Sequence, residues 1–193
     1  MQNVVIRAIE RLDFRTKEAY KTLRTNLSFA GKNVKVISLT SCTPNEGKTS
    51  VSFQLCLSLA ESGKQTILVD ADLRKSVLRG RYKANREKYG LSHYLSGQVE
   101  LDDACCRTNV NNFDIIFAGP VPPNPSELLG GDAFRNMLEV LRMKYDYVIV
   151  DTPPLGSVID AAIVGAICDG TVIVVESGAI SYKFVQNVKE QLN

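Results

Sequence analysis

Five aliphatic runs, at residues 34–39, 65–70, 113–118, 147–150 and 171–175, alternate with segments of helical character. A strand with one wet face alternates apolar and polar residues. An unbroken aliphatic run must instead be buried on both faces. Runs of this kind separated by helices predict an α/β fold, a parallel sheet with helices on both faces. The intervening pattern predicts helices at Phe14–Phe29, 48–62, Leu91–Leu95, 102–106, 126–144, 160–168 and 181–193. In the first of these, Ala19, Leu23 and Leu27 form the apolar stripe, and Gly31 stops the helix. Residues 1–13 read as a polar arm.

Ligands of such folds bind beyond the carboxyl ends of the strands. The segment that follows the 34–39 run is Ser41-Cys-Thr-Pro-Asn-Glu-Gly-Lys-Thr49, and a helix begins at its end. Strand, tight loop, Gly-Lys-Thr and helix is the layout of a phosphate-binding loop, or Walker A element. Backbone N–H groups and the positive end of the helix cradle phosphates there. Thr43, Pro44, Asn45, Glu46, Gly47, Lys48, Thr49 and Ser50 are therefore the candidate nucleotide-binding residues. Lys48 suits the outer phosphates, and the Thr49 hydroxyl suits a magnesium ion. Cys42 takes the place of the first glycine in G-x-x-x-x-G-K-[ST]. Alone, Gly-Lys-Thr is a weak signal, equally compatible with a turn ahead of a helix and a solvated lysine.

Two acidic strand ends strengthen it. Ile67-Leu-Val-Asp-Ala-Asp-Leu-Arg74 places Asp70 and Asp72 just past a strand, and Val148-Ile-Val-Asp-Thr-Pro-Pro154 ends a second strand at Asp151. Phosphoryl transfer needs oxygen ligands around magnesium and a group that takes the nucleophile's proton. Asp70, Asp72 and Asp151 supply both. Each segment alone reads equally well as an ordinary polar strand end.

Taken together, these motifs resemble the bacterial tyrosine kinases (BY-kinases) of capsule and exopolysaccharide systems. The resemblance rests on the proline-containing loop 41–49, on Asp70-x-Asp72-x-Arg74, on Asp151-x-Pro153-Pro154, and on the stretch from Gly119 to Leu129. Gly90-Leu-Ser and Leu95-x-Gly97 add to it, and it runs from about Glu18 to the C-terminus. It implies a P-loop NTPase-like fold and an ATP- and Mg2+-dependent protein-tyrosine kinase. Lys48, Asp70, Asp72 and Asp151 are its catalytic residues. Thr49, Asp72 and Asp151 belong to the metal shell, Asp151 through a bound water, and Asp70 is the base. It further implies an activator, a membrane-anchored polysaccharide co-polymerase whose cytoplasmic tail switches the kinase on, and protein tyrosine substrates. Glu18, Lys21 and Arg24 resemble the family's assembly motif for ring-like self-association. A lysine at the middle position lacks the planar fork of arginine, and the plain alternative is a solvated Glu18–Lys21 pair. On this reading residues 1–30 are an arm and assembly helix, and 31–193 are the kinase domain. The family's further C-terminal strand and tyrosine-rich tail have no counterpart before Asn193. The seven tyrosines are scattered, with Tyr82 and Tyr89 the better exposed acceptor candidates.

Composition narrows the field. A net charge of +2 over 193 residues argues against an extended nucleic-acid surface. No apolar stretch approaches the roughly 20 residues that span a bilayer. Five cysteines without metal-like spacing read as reduced thiols and a cytoplasmic protein; the resemblance adds that its partner holds it at the inner face of the membrane. Two other functions compete. One is an ATPase switch of the chromosome-partitioning and cell-division type, against which stands the lack of a lysine at positions 41–43. The other is a nucleotide-binding scaffold without phosphotransfer, against which stand Lys48 and the three aspartates.

Overall fold

The structure is a computed structural model that describes residues 1–31, 33–85 and 88–192. Seven strands among these residues form one sheet: β1 (Gln2–Val4), β2 (Val36–Ser41), β3 (Thr66–Asp70), β4 (Cys106–Thr108), β5 (Phe113–Ile116), β6 (Tyr147–Asp151) and β7 (Gly170–Val174). Their order is β1-β4-β5-β3-β6-β2-β7. From β5 to β7 every pairing is parallel, and so is β1 with β4; β4 runs antiparallel to β5. The chain leaves β2, crosses over through α2 (Lys48–Glu61) to β3, and later returns to fill the gap with β6. The carboxyl ends of β2, β6 and β3 thus lie side by side.

Alternation along each strand sends side chains to two cores. Ile67, Val69, Val148 and Val150 pack with Phe134, Met137 and Leu141 of α7 (Asp132–Lys144) and with Leu129 of α6 (Pro125–Gly130). Leu68, Ile149, Ile37 and Leu39 pack on the opposite face against Phe53, Leu55 and Leu59 of α2. Phe53 stacks on Tyr82 at 3.6 Å between ring centroids and meets Phe113 edge-on at 5.3 Å. Every residue of β2 and β3 is buried, the hydroxyl residues of β2 and the terminal Asp70 of β3 included.

Several expectations change in detail. Residues 2–4, within the expected arm, add an edge strand, held by a backbone hydrogen bond from Gln2 to the Cys105 carbonyl. The expected helix at 102–106 ends at Ala104, as α5 (Leu101–Ala104), and Cys106 starts β4. The single helix expected at 126–144 is two, because the extended backbone of Gly131 (φ −79°, ψ 164°) ends α6 and begins α7. α1 (Phe14–Phe29) has its expected bounds, capped by the Asp13 side chain on the Thr16 N–H. Its packed face is Tyr20, Leu23 and Leu27, while Ala19 is exposed. The short α3 (Leu78–Arg81) had no signal, and α4 (Leu91–Leu95), α8 (Asp160–Gly165) and α9 (Tyr182–Glu190) fall close to expectation. Asn193, expected to end the last helix, lies outside the described residues. Tyr82, expected exposed, is buried, and that burial pushes its phenol up to about 12. No helix among the described residues is long and apolar enough to cross a membrane.

Candidate nucleotide site

The loop between β2 and α2 turns through two left-handed residues, Asn45 (φ 70°) and Gly47 (φ 85°). Asparagine tolerates that conformation and glycine favours it. Cys42 does not adopt it, so the missing glycine costs the loop nothing in backbone strain. The Cys42 side chain packs with Leu155, Ala161 and Val188, and burial raises its thiol pKa. Glu46 braces the loop from inside: one carboxylate oxygen accepts the Thr43 N–H at 2.6 Å, the other the Glu176 N–H at 3.4 Å. No side chain caps α2, which leaves first-turn N–H groups for an anion.

Beneath the loop, Asp151 is 1% exposed and takes three side-chain donors. Lys48 Nζ and Ser52 Oγ each donate to Oδ1 at 2.9 Å, and Thr49 Oγ1 donates to Oδ2 at 2.7 Å. Asp70 is the register partner of Asp151 on the neighbouring strand. It is equally buried and accepts a hydrogen bond from Ser76 Oγ. Burial first, and the charge of Asp151 second, push its carboxyl up to about 7, against the lowering effect of Ser76 and Lys48. Asp72 is half-buried, and its Oδ1 accepts the Lys75 N–H at 2.9 Å.

A cleft of about 390 Å3 opens over this network. Of the expected nucleotide-binding residues, Pro44, Asn45, Gly47, Lys48 and Thr49 line it, together with Asp72. Thr43 and Glu46 instead shape the loop, and Ser50 accepts a hydrogen bond from the Arg81 guanidinium at 2.6 Å. Arg74 grips the fully buried Asp160 with Nε at 2.7 Å and a terminal nitrogen at 3.0 Å. Ser126 Oγ donates to the same carboxylate at 2.6 Å. Burial tends to raise the Asp160 pKa, but these hydrogen bonds outweigh it and hold the carboxyl below its ordinary value. Arg74 therefore ties the β3 loop to α6 and α8.

Among the assembly candidates, Glu18 and Lys21 form an exposed pair at 2.7 Å. Arg24 donates to the Ser58 carbonyl at 2.6 Å and binds α1 to α2 within the chain.

Sequence reasoning did not single out Ser52, Ser76, Arg81 or Asp160. Ser52 carried a usable signal, since it stands one helical turn after Lys48 and so on the same face. The others come from loops and from helices distant in sequence.

A mostly parallel sheet with a phosphate-type loop after β2, and aspartates at the ends of β6 and of β3 beyond it, defines a P-loop nucleotide-binding protein. Comparison with known proteins narrows the class. A sequence family described as an AAA domain matches residues 34–193. The chain is 44% identical over 178 residues to the tyrosine-protein kinase CpsD of Streptococcus agalactiae, covering 92% of this chain and 78% of that one. It superposes on the kinase domain of the Escherichia coli tyrosine kinase ETK with a TM-score of 0.88 at 33% identity, covering 100% of this chain and 84% of that one. It resembles less closely the septum site-determining protein MinD of Pyrococcus horikoshii, solved with Mg-ADP (TM-score 0.61, 26% identity, 72% of this chain and 57% of that one). The chain belongs to the bacterial tyrosine-kinase family.

Proposed function

We propose that this chain is an ATP-dependent protein-tyrosine kinase serving capsular or exopolysaccharide synthesis. The observation that carries the reading is Asp70. It is a buried carboxyl raised to about 7, beside Asp151 and below the loop, and therefore close to the pKa of a useful general base at neutral pH. Support comes from the similarity to proteins named tyrosine-protein kinase.

In this mechanism the phosphates of ATP rest on the loop N–H groups of Gly47, Lys48 and Thr49. Lys48 exchanges its partner Asp151 for the outer phosphates. The donor set fits magnesium, a hard cation bound by oxygen: Thr49 Oγ1 already touches Asp151, and Asp72 lines the same cleft. When bound, the ion neutralises charge on the phosphate oxygens. The tyrosine oxygen forms the new bond to the γ-phosphorus. The bond to the β–γ bridging oxygen breaks with its electrons, ADP departs, and the phenolic proton passes to Asp70. Positioning and charge neutralisation supply most of the acceleration.

We further propose that the kinase sits at the inner face of the membrane, activated by the cytoplasmic tail of a membrane-anchored polysaccharide co-polymerase. Ring-like assembly would use the exposed Glu18–Lys21 face of α1. The likeness to MinD supports a second reading, an ATPase switch that hydrolyses rather than transfers.

Labelled ATP separates the two. With magnesium, the activator tail and a tyrosine peptide, label on tyrosine that vanishes in Asp70→Asn and Lys48→Met supports the kinase. Label appearing as free phosphate alone contradicts it.

A further inference from the structure

Seven tyrosines stand in this chain, and the fold commits six of them to neighbours. Tyr82 and Tyr145 are each 4% exposed, and the Tyr145 hydroxyl donates to Asp114 at 2.7 Å. Tyr20 and Tyr147 are half-buried and pack with the core that faces α2. Tyr94 is half-buried, and its hydroxyl donates to the Ala133 carbonyl at 3.4 Å. Tyr89 is half-buried and edge-on to His93, with ring centroids 5.5 Å apart. A phenol that attacks phosphorus must come within roughly 3–3.5 Å of it. A ring held in packing or by its hydroxyl is poorly placed to do so.

Tyr182 differs. It is 77% exposed, and its hydroxyl takes no partner among the described residues. It opens α9 directly after Ser181, whose side chain caps the helix on the Phe184 N–H. Residues 175–179 and 181–184 are exposed, so the backbone on both sides is open to an approaching molecule. The base of the segment is nonetheless fixed. Ile180, Val185 and Val188 pack with Cys42 and Leu155, and the Glu176 N–H donates to Glu46 of the phosphate loop at 3.4 Å. The ring is thus presented outward on a firm footing.

We infer that Tyr182 is a phosphate acceptor, and that a second copy of this chain supplies the phosphate. The inference rests on the kinase reading above. Tyr182 does not line the nucleotide cleft of its own chain, and the contacts of Ile180 and Val185 tie its segment in place. Its phenolic oxygen forms the bond to the γ-phosphorus of ATP held by the other copy. The bond to the β–γ bridging oxygen breaks with its electrons, ADP departs, and the phenolic proton passes to Asp70 of that copy. The product dianion meets no acidic side chain in the first turn of α9, at the helix end where negative charge is favoured.

A mixing experiment tests this. Asp70→Asn, which keeps the acceptor, is combined with Tyr182→Phe, which keeps the donor site, and a size tag distinguishes the two chains. Labelled ATP, magnesium and the activator tail are present, and a tyrosine peptide is assayed in parallel. Label should appear on Asp70→Asn, and peptide mapping should place it on Tyr182. Tyr182→Phe alone should lose the self-label of the wild type, while its transfer to the tyrosine peptide changes by less than about twofold. Tyr94→Phe, the same change at a half-buried ring, should self-label as the wild type does. Label mapped to other residues, or self-label undiminished in Tyr182→Phe, overturns the inference and leaves the kinase reading standing on the peptide. Absence of label from both chain and peptide refutes the kinase reading and the acceptor site with it.

Discussion

Asp70 and Asp151 stand opposite each other at the carboxyl ends of β3 and β6, and the protein buries the two carboxyls on different terms. Asp151 is surrounded by a lysine and two hydroxyls. Asp70 receives the Ser76 hydroxyl and is pushed up to about 7. One carboxylate is paired with a cation, and burial beside it pushes the pKa of its neighbour up.

That asymmetry fixes a pH dependence. The folded pKa of Asp70 lies above its ordinary value of 3.8. Its contribution to stability is fully present below that value and is lost as pH rises through about 7. Asp70→Asn should therefore gain stability over the wild type between pH 5.5 and pH 8, by roughly 1–4 kcal/mol. Urea unfolding midpoints at the two pH values check this, and a constant difference between the proteins would contradict it.

Lys48 has a structural role besides its proposed catalytic one. Lys48→Met leaves Asp151 buried with only hydroxyl partners and without its cation, at a cost of about 3 kcal/mol. Adding Asp151→Asn should restore much of that stability while ATP binding stays lost. Denaturation of the single and double variants, with nucleotide titration alongside, separates the two effects.

Arg74→Ala should strand Asp160, which is fully buried. The Arg74 side chain is 40% exposed, so solvent screens the pair and the expected loss near neutral pH is about 1–2 kcal/mol. The Asp160 pKa is held below 3.8, so its contribution is present above that value and lost as pH falls through the lower folded value. The gap between wild type and Arg74→Ala should accordingly close in acid. Unfolding curves from pH 7 downward measure it.

Gly156 marks a close approach of two chain segments at the site. A Cβ there would fall far inside contact distance of the Cys42 carbonyl oxygen at the start of the phosphate loop. Gly156→Ala should displace that loop, lower stability by about 1–3 kcal/mol and weaken nucleotide binding. At Gly170 a Cβ meets nothing within 4 Å, so Gly170→Ala is the matched control. Calorimetric titration with ATP and thermal unfolding of both variants give the comparison.

The parts of the fold legible in the sequence are those where burial is complete. β2 and β3 are buried along their whole length, and they appear in the sequence as aliphatic-rich runs broken only by small hydroxyl residues and the terminal Asp70. β1 and β4 are three-residue strands at one margin of the sheet, QNV and CRT, too short and polar to carry a period. The break between α6 and α7 falls at a Gly-Gly pair that also suits a helix interior weakened by about 1 kcal/mol per glycine. Within the site, Lys48, Thr49 and Asp151 were legible because each belongs to a local motif at a strand end, Gly-Lys-Thr after β2 and an aliphatic strand closing on Asp151. Asp160 was not, because no local motif marks it and only the fold brings it to Arg74, 86 residues away. Tyr82 misled for a related reason: a polar neighbourhood in sequence hid a ring stacked on Phe53.

The most direct test of the account is the single-turnover transfer rate of Asp70→Asn to a tyrosine peptide. Wild type and variant are compared with the activator tail present, and Mg·ATP affinity is measured on the same samples. The account predicts a fall of about 100-fold or more in rate, with ATP affinity changed by less than about twofold. A variant that transfers phosphate at near the wild-type rate with normal ATP binding would contradict it.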